Sequence, residues 1–134
     1  MEQKAVIVLC DDLPNGLKAN IAAVIGMSFG RYQPDLVGPE TQTRDGTKLQ
    51  GITTVPIPIL ISDEAGLAEI FAAAQGDLDL VIPFGAAALT TKNYTDYTAK
   101  LAMLADAKQG IKGLLLLGAK KPVNKLIGRL PLLR

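Results

Sequence analysis

Four short apolar runs, set apart by stretches of helical periodicity, constrain this chain more than any other feature. Lys4 to Cys10 (KAVIVLC) is continuous, apolar and rich in β-branched residues, which suits a strand buried on both faces. Val55 to Ile61 reads as a second strand, and Pro56 and Pro58, which cannot donate to a ladder, place it at a sheet edge. Leu78 to Phe84 is the third, and Gly113 to Leu117, the most apolar, is the fourth, broken by Gly118.

The intervening segments carry helical spacing. From Gly16 to Ser28, Leu17, Ile21, Val24 and Ile25 recur on one face, with Asn15 placed to cap the first amides and Gly30 to stop the helix. Ser62 and Asp63 cap a helix over 64–74 with the stripe Leu67, Ile70, Phe71 and Ala74, closed by Gly76. A small-residue stretch, Ala86 to Leu89, precedes a helix over 93–108, where Tyr94, Tyr97, Leu101 and Leu104 share a face expected to pack into the core. Pro122 suits a first helical turn, and Val123, Leu126 and Ile127 give a short amphipathic helix ending at Gly128, followed by an extended tail over 130–133. Residues 31–54 hold no such pattern, and Asp45-Gly46 predicts a tight hairpin turn between Thr41–Arg44 and Thr47–Gln50. Strands alternating with helices make this an α/β chain whose helices cover a small sheet.

Composition fits that reading and removes whole classes of chemistry. With 134 residues, 49% hydrophobic and 20% charged, the chain supports one domain, 1–134, with a core of its own. It contains no histidine, which excludes Ser-His-Asp and Cys-His nucleophile pairs and histidine zinc sites. Cys10 is the sole thiol, so no internal disulfide forms, and a reducing, cytoplasmic setting is expected. At the end of a buried strand and beside two carboxylates it should behave as an inert, small hydrophobe. The longest apolar stretches fall far short of the roughly 20 residues of a membrane helix, and Asp11 and Asp12 cut off the first run too early for a secretory signal. A protein without membrane contact is expected. No cofactor fingerprint occurs, and neither a cofactor nor a bound metal is expected.

Charge is distributed unevenly. Residues 1–106 hold all 13 acidic residues and 7 of the 14 basic ones, while 107–134 hold the other 7 basic residues and no acid. A basic C-terminal quarter favours an anionic partner, RNA included, although the same bases also serve simply to solvate one surface. Two segments could form the contact. Asn15, Gly16 and Lys18 stand at a helix N-terminus, where free amides attract phosphate or carboxylate. Gly118, Lys120 and Lys121 precede the last helix, where cations oppose the helix dipole and an anion would relieve the conflict. Asp12, leaving the first strand, is placed to accept a substrate proton, or equally to hold loop amides ahead of Pro14.

The opening K-A-V-I-V-L-C-D-D-L-P-N-G-L-K-A and the closing G-A-K-K-P-V-N-K-L-I-G-R-L-P-L-L resemble an uncharacterised bacterial domain family within the superfamily of type-two peptidyl-tRNA hydrolases. Asp12-Leu13, Gly16, Lys18, Gly118, Lys125, Gly128, Leu130 and Leu132 carry the resemblance. It implies a small mixed sheet of about four strands with helices on both faces. Of the polar residues those hydrolases use, it retains Lys18, whereas the others fall on or near Ala22, Ile25, Pro83, Asn124 and Ile127. The expectation is therefore a domain of unknown function with a peptidyl-tRNA hydrolase II-like fold that binds an anionic ligand: a nucleotide, a phosphorylated metabolite or RNA. Asp12, Lys18 and the turn at Lys120 and Lys121 are expected to share its cleft. The alternatives are an ester or amide hydrolase, with Lys18 and Asp12 catalytic, and an interaction protein that forms a homodimer through the Pro-bearing edge or an apolar face.

Overall fold

A computed structural model describes residues 2–134. The chain runs β1 (Gln3–Cys10), α1 (Asn15–Tyr32), β2 (Thr41–Gln42), β3 (Lys48–Leu49), β4 (Ile59–Ser62), α2 (Glu64–Ala74), β5 (Leu80–Gly85), α3 (Ala86–Leu89), α4 (Tyr94–Ala102), β6 (Ile111–Ala119) and α5 (Lys120–Ile127). Four strands form one mixed sheet in the order β4-β1-β6-β5. β4 lies parallel to β1, β6 antiparallel to both its neighbours, so β1, β4 and β5 all point the same way. Among the described residues no helix is long and apolar enough to cross a membrane.

Period-two alternation along the buried strands supplies two cores, one on each face of the sheet. Ala5, Ile7, Leu9, Leu115 and Leu117 meet α1 through Ile21, Ile25 and Phe29. Val6, Val8, Cys10, Leu114 and Leu116 meet α2 and α5 through Leu67, Ile70, Val123 and Ile127. The α1 helix sits close because β6 carries glycine beneath it: a Cβ on Gly113 would stand 2.8 Å from Ile21 Cγ2 and 3.1 Å from Ile25 Cδ1.

The four expected strands and the α2 segment are present, with instructive departures elsewhere. α1 continues through Gly30 to Tyr32, because burying Phe29, only 4% exposed, outweighs the roughly 1 kcal/mol that an interior glycine costs. Asn15 does not cap α1. Pro14 holds the cap position and no side chain bonds the first amides, so Asn15 is instead the first helical residue. Gly118 does not break β6; it pairs with Lys4 inside the strand, and a Cβ there would lie 2.9 Å from Leu78 Cδ2. Pro56 and Pro58 precede β4, and β4 is an edge strand as expected.

The helix expected over 93–108 stops at Ala102 and is followed by a 3₁₀ turn at Asp106–Lys108. None of its residues is buried, and Tyr94 is 79% exposed, so this helix is an outrigger and its tyrosine face is not core. The hairpin around Asp45-Gly46 forms with Gly46 at φ 89°, a conformation that favours glycine.

The C-terminal tail has a specific place. Ile61 N–H donates to Pro131 O at 3.0 Å and Leu133 N–H donates to Ile59 O at 2.9 Å, so the tail covers the outer edge of β4. That edge is closed to a second copy of the chain, which removes the Pro-bearing edge as a route to a homodimer.

Candidate functional site

Because β1, β4 and β5 run in one direction, their carboxyl ends share one end of the sheet, and α1, α2 and α3 all begin there. Open α/β sheets place ligands at such ends, where helices leave for opposite faces. Here α1 departs to one face and α2 to the other.

The side chains at this end come from four segments. Asp11 and Asp12 follow β1 and are exposed, and Asp11 N–H donates to Ser62 O at 2.9 Å, tying the ends of β1 and β4 together. The fully buried Cys10 thiol donates to Asp12 Oδ1 at 2.9 Å. Burial, and then the bond to Asp12, push the thiol above its ordinary pKa. Asp63 caps α2 by accepting from Gly66 N–H at 2.7 Å. Lys112, at the start of β6, donates to Glu64 Oε1 at 3.0 Å, and that bond raises the lysine pKa.

Lys18 is different. It occupies the sheet-facing stripe of α1 with Ile21, Ile25 and Phe29 and is only 8% exposed. Among the described residues it forms no ion pair with a carboxylate, since the salt bridges there involve Lys112 and Lys120. The first three amides of α1, those of Asn15, Gly16 and Leu17, lack intrahelical acceptors, and a Cβ on Gly16 would meet no atom within 4 Å. Open space thus adjoins the helix start.

The second basic segment lies elsewhere. Gly118 pairs with Lys4 and Ala119 with Gln3, so α5 begins at the amino end of β1. From Lys4 to Cys10 the strand covers about 20 Å at 3.3 Å per residue. Lys120 and Lys121 are therefore separated from Asp12 and Lys18 by the length of the sheet, and the expected common cleft does not form. The antiparallel entry of β6 is the reason. Lys120 instead approaches Glu2 at 4.0 Å, and Lys4 donates to Asn124 Oδ1 at 2.7 Å.

Sequence reasoning missed Lys112 and Glu64, which belong to this end through a contact spanning 48 positions. Cys10, Asp11 and Asp12 offer ligand atoms within 4.8 Å of one another. The thiol spends its proton on Asp12, and burial and that carboxylate oppose its ionisation, so the trio carries no metal assignment.

The raised pKa values of Cys10 and Lys112 predict alkaline sensitivity. A group whose folded pKa exceeds its unfolded value contributes stability below the unfolded pKa and loses it as pH rises. Melting temperature should fall above about pH 8.5, where unfolded thiols ionise. In Cys10→Ala the fall should be shallower in a thermal scan from pH 7 to 10, and an unchanged slope would clear Cys10 of a role.

Comparisons with known proteins agree with this architecture. The family described as "Protein of unknown function (DUF2000)" matches residues 3–134. The solved structure of a protein of unknown function, Atu0240 from Agrobacterium tumefaciens strain C58, superposes with a TM-score of 0.91 at 17% identity, covering 100% of this chain and 99% of that one. At that identity the likeness is one of fold. No curated protein matches the chain significantly. Neither description names a peptidyl-tRNA hydrolase. The match over residues 3–134 makes the chain a member of the DUF2000 family, with a mixed α/β fold of four sheet strands and five helices.

Proposed function

We propose that this domain binds a small phosphorylated molecule, a nucleotide or a sugar phosphate, at the carboxyl end of β1, β4 and β5. One observation carries the reading: Lys18 is almost wholly buried, stands in the first turns of α1 beside unclaimed amides, and has no carboxylate partner among the described residues. Its stem is buried, while no buried side-chain nitrogen among the described residues lacks a partner, so the ammonium opens to solvent beside the helix start, where the free amides add favourable potential for an anion. Asp11 and Asp12 at the same end suit ligand hydroxyl donors and oppose a polyanion. A small ligand that carries both a phosphate and hydroxyl groups is therefore favoured over RNA.

The test uses ribose 5-phosphate and adenosine monophosphate as probes with the full chain. Amide resonances of Asn15, Gly16 and Leu17 should shift on titration, and Lys18→Met, which keeps the stem volume, should weaken binding at least tenfold. Absence of shifts at these amides, or equal affinity in the variant, would defeat the proposal. Hydrolysis of an ester or amide, peptidyl-tRNA included, is the second reading, favoured by Asp12 and Lys18 standing at one end of the sheet. Turnover of peptidyl-tRNA that is lost in Lys18→Met, with no response to the phosphate probes, would select it.

A further inference from the structure

We propose that the outer edge of β5 is a docking groove for an extended, largely apolar peptide segment of another protein, which joins the sheet as an additional strand. A cavity of about 610 Å³ lies along this strand. All five residues from Leu80 to Phe84 line it. Side chains of consecutive strand residues point to opposite faces, so a cavity touching all five borders the strand's edge and not one face.

That edge is open. β5 is the terminal strand, its ladder runs to β6 alone, and among the described residues no other main-chain hydrogen bond reaches Leu80 to Phe84. It carries no charge, and Pro83 is its single protective device. At the opposite edge of the sheet the chain shows what such an edge accepts, since its own leucine-rich tail lies extended along β4. Among the described residues β5 has no counterpart to that tail.

The walls decide between a slender occupant and a bulky one. Val24 and Tyr32 of α1 and Tyr94 and Tyr97 of α4 line the same cavity as the strand, so residues of two helices wall the open edge. A second copy would bring its own flanking helices against these walls, whereas a single extended segment fits between them. In a two-fold pairing of β5 with itself, moreover, Pro83 would remove a donor from each partner, while a peptide meets it once. Val24 is 44% and Tyr94 79% exposed, and alternate apolar side chains of a docked strand would cover them. Lys92 at the rim favours a neutral or acidic segment over a basic one.

The full chain, panned against phage-displayed linear decapeptides, should enrich sequences with apolar residues at alternating positions and few bases. Calorimetry with an enriched synthetic peptide should give one site. Val24→Arg, at an exposed position that folding tolerates, should weaken it at least tenfold, and Tyr94→Ser by severalfold. Amide exchange at Val81, whose N–H faces away from β6, should slow in the complex. Failure to enrich any peptide, or equal binding to Val24→Arg, would overturn the proposal. So would a concentration-dependent dimer of the free chain that Val24→Arg dissolves, since it would assign the edge to a second copy.

Discussion

Leu115→Ala should cost about 3 kcal/mol of folding stability, a large fraction of the 5–15 kcal/mol typical of a single domain. Leu115 is fully buried on β6, opposite Ile7 of β1 and Ile82 of β5, and packs with Ile21, Ile25 and Phe29 beneath α1. Flanked by strands on both sides and covered by a helix, the site has little room to collapse, so the lost transfer energy and the cavity add. Equilibrium unfolding in urea should show the midpoint falling by about 1.5 M with an unchanged slope. A loss under about 1 kcal/mol would mean that α1 settles into the vacated space.

Removal of Pro131–Arg134 should have the next largest effect, about 2 kcal/mol. The deletion frees Ile61 N–H and Ile59 O from their tail partners and uncovers the face packed by Leu133. Two net hydrogen bonds and a partly buried leucine account for that sum. It should also change the solution behaviour, because β4 would then present a bare edge. Light scattering across a hundredfold range of concentration should show association in the truncated chain that the intact chain lacks. A truncated chain that stays monomeric and keeps its urea midpoint would show the tail to be ornamental.

Much of the fold was legible because burial on both faces writes strands as uninterrupted apolar runs, as in Lys4 to Cys10. Segments that meet the core on one side only were also plain, as in α2, where Asp63 caps and the apolar stripe faces the sheet. Direction was not legible. Nothing local to Gly113–Leu117 states that the strand runs against β1, yet that one fact sends Lys120 and Lys121 to the far end from Lys18. The tyrosines of α4 show a second blind spot. Their helical spacing is that of a buried stripe, but burial also requires a neighbour, and α4 rests on the rim of the sheet with no buried residue. Lys18 carries the opposite lesson: its charge drew attention, while its burial, which gives it meaning, came only from the packing of α1.

The position of β6 has a consequence for how the protein is made. One of the sheet's two central strands, β6, is the last of the four to be synthesised, and its ladder with β1 joins residues more than a hundred positions apart, Gln3 with Ala119. While the ribosome is still adding residue 110, β5 has no strand beside it and β1 has only β4. The sheet therefore closes as a late event, and a nascent chain stalled before that point holds the apolar strands β1 and β5 waiting for a neighbour.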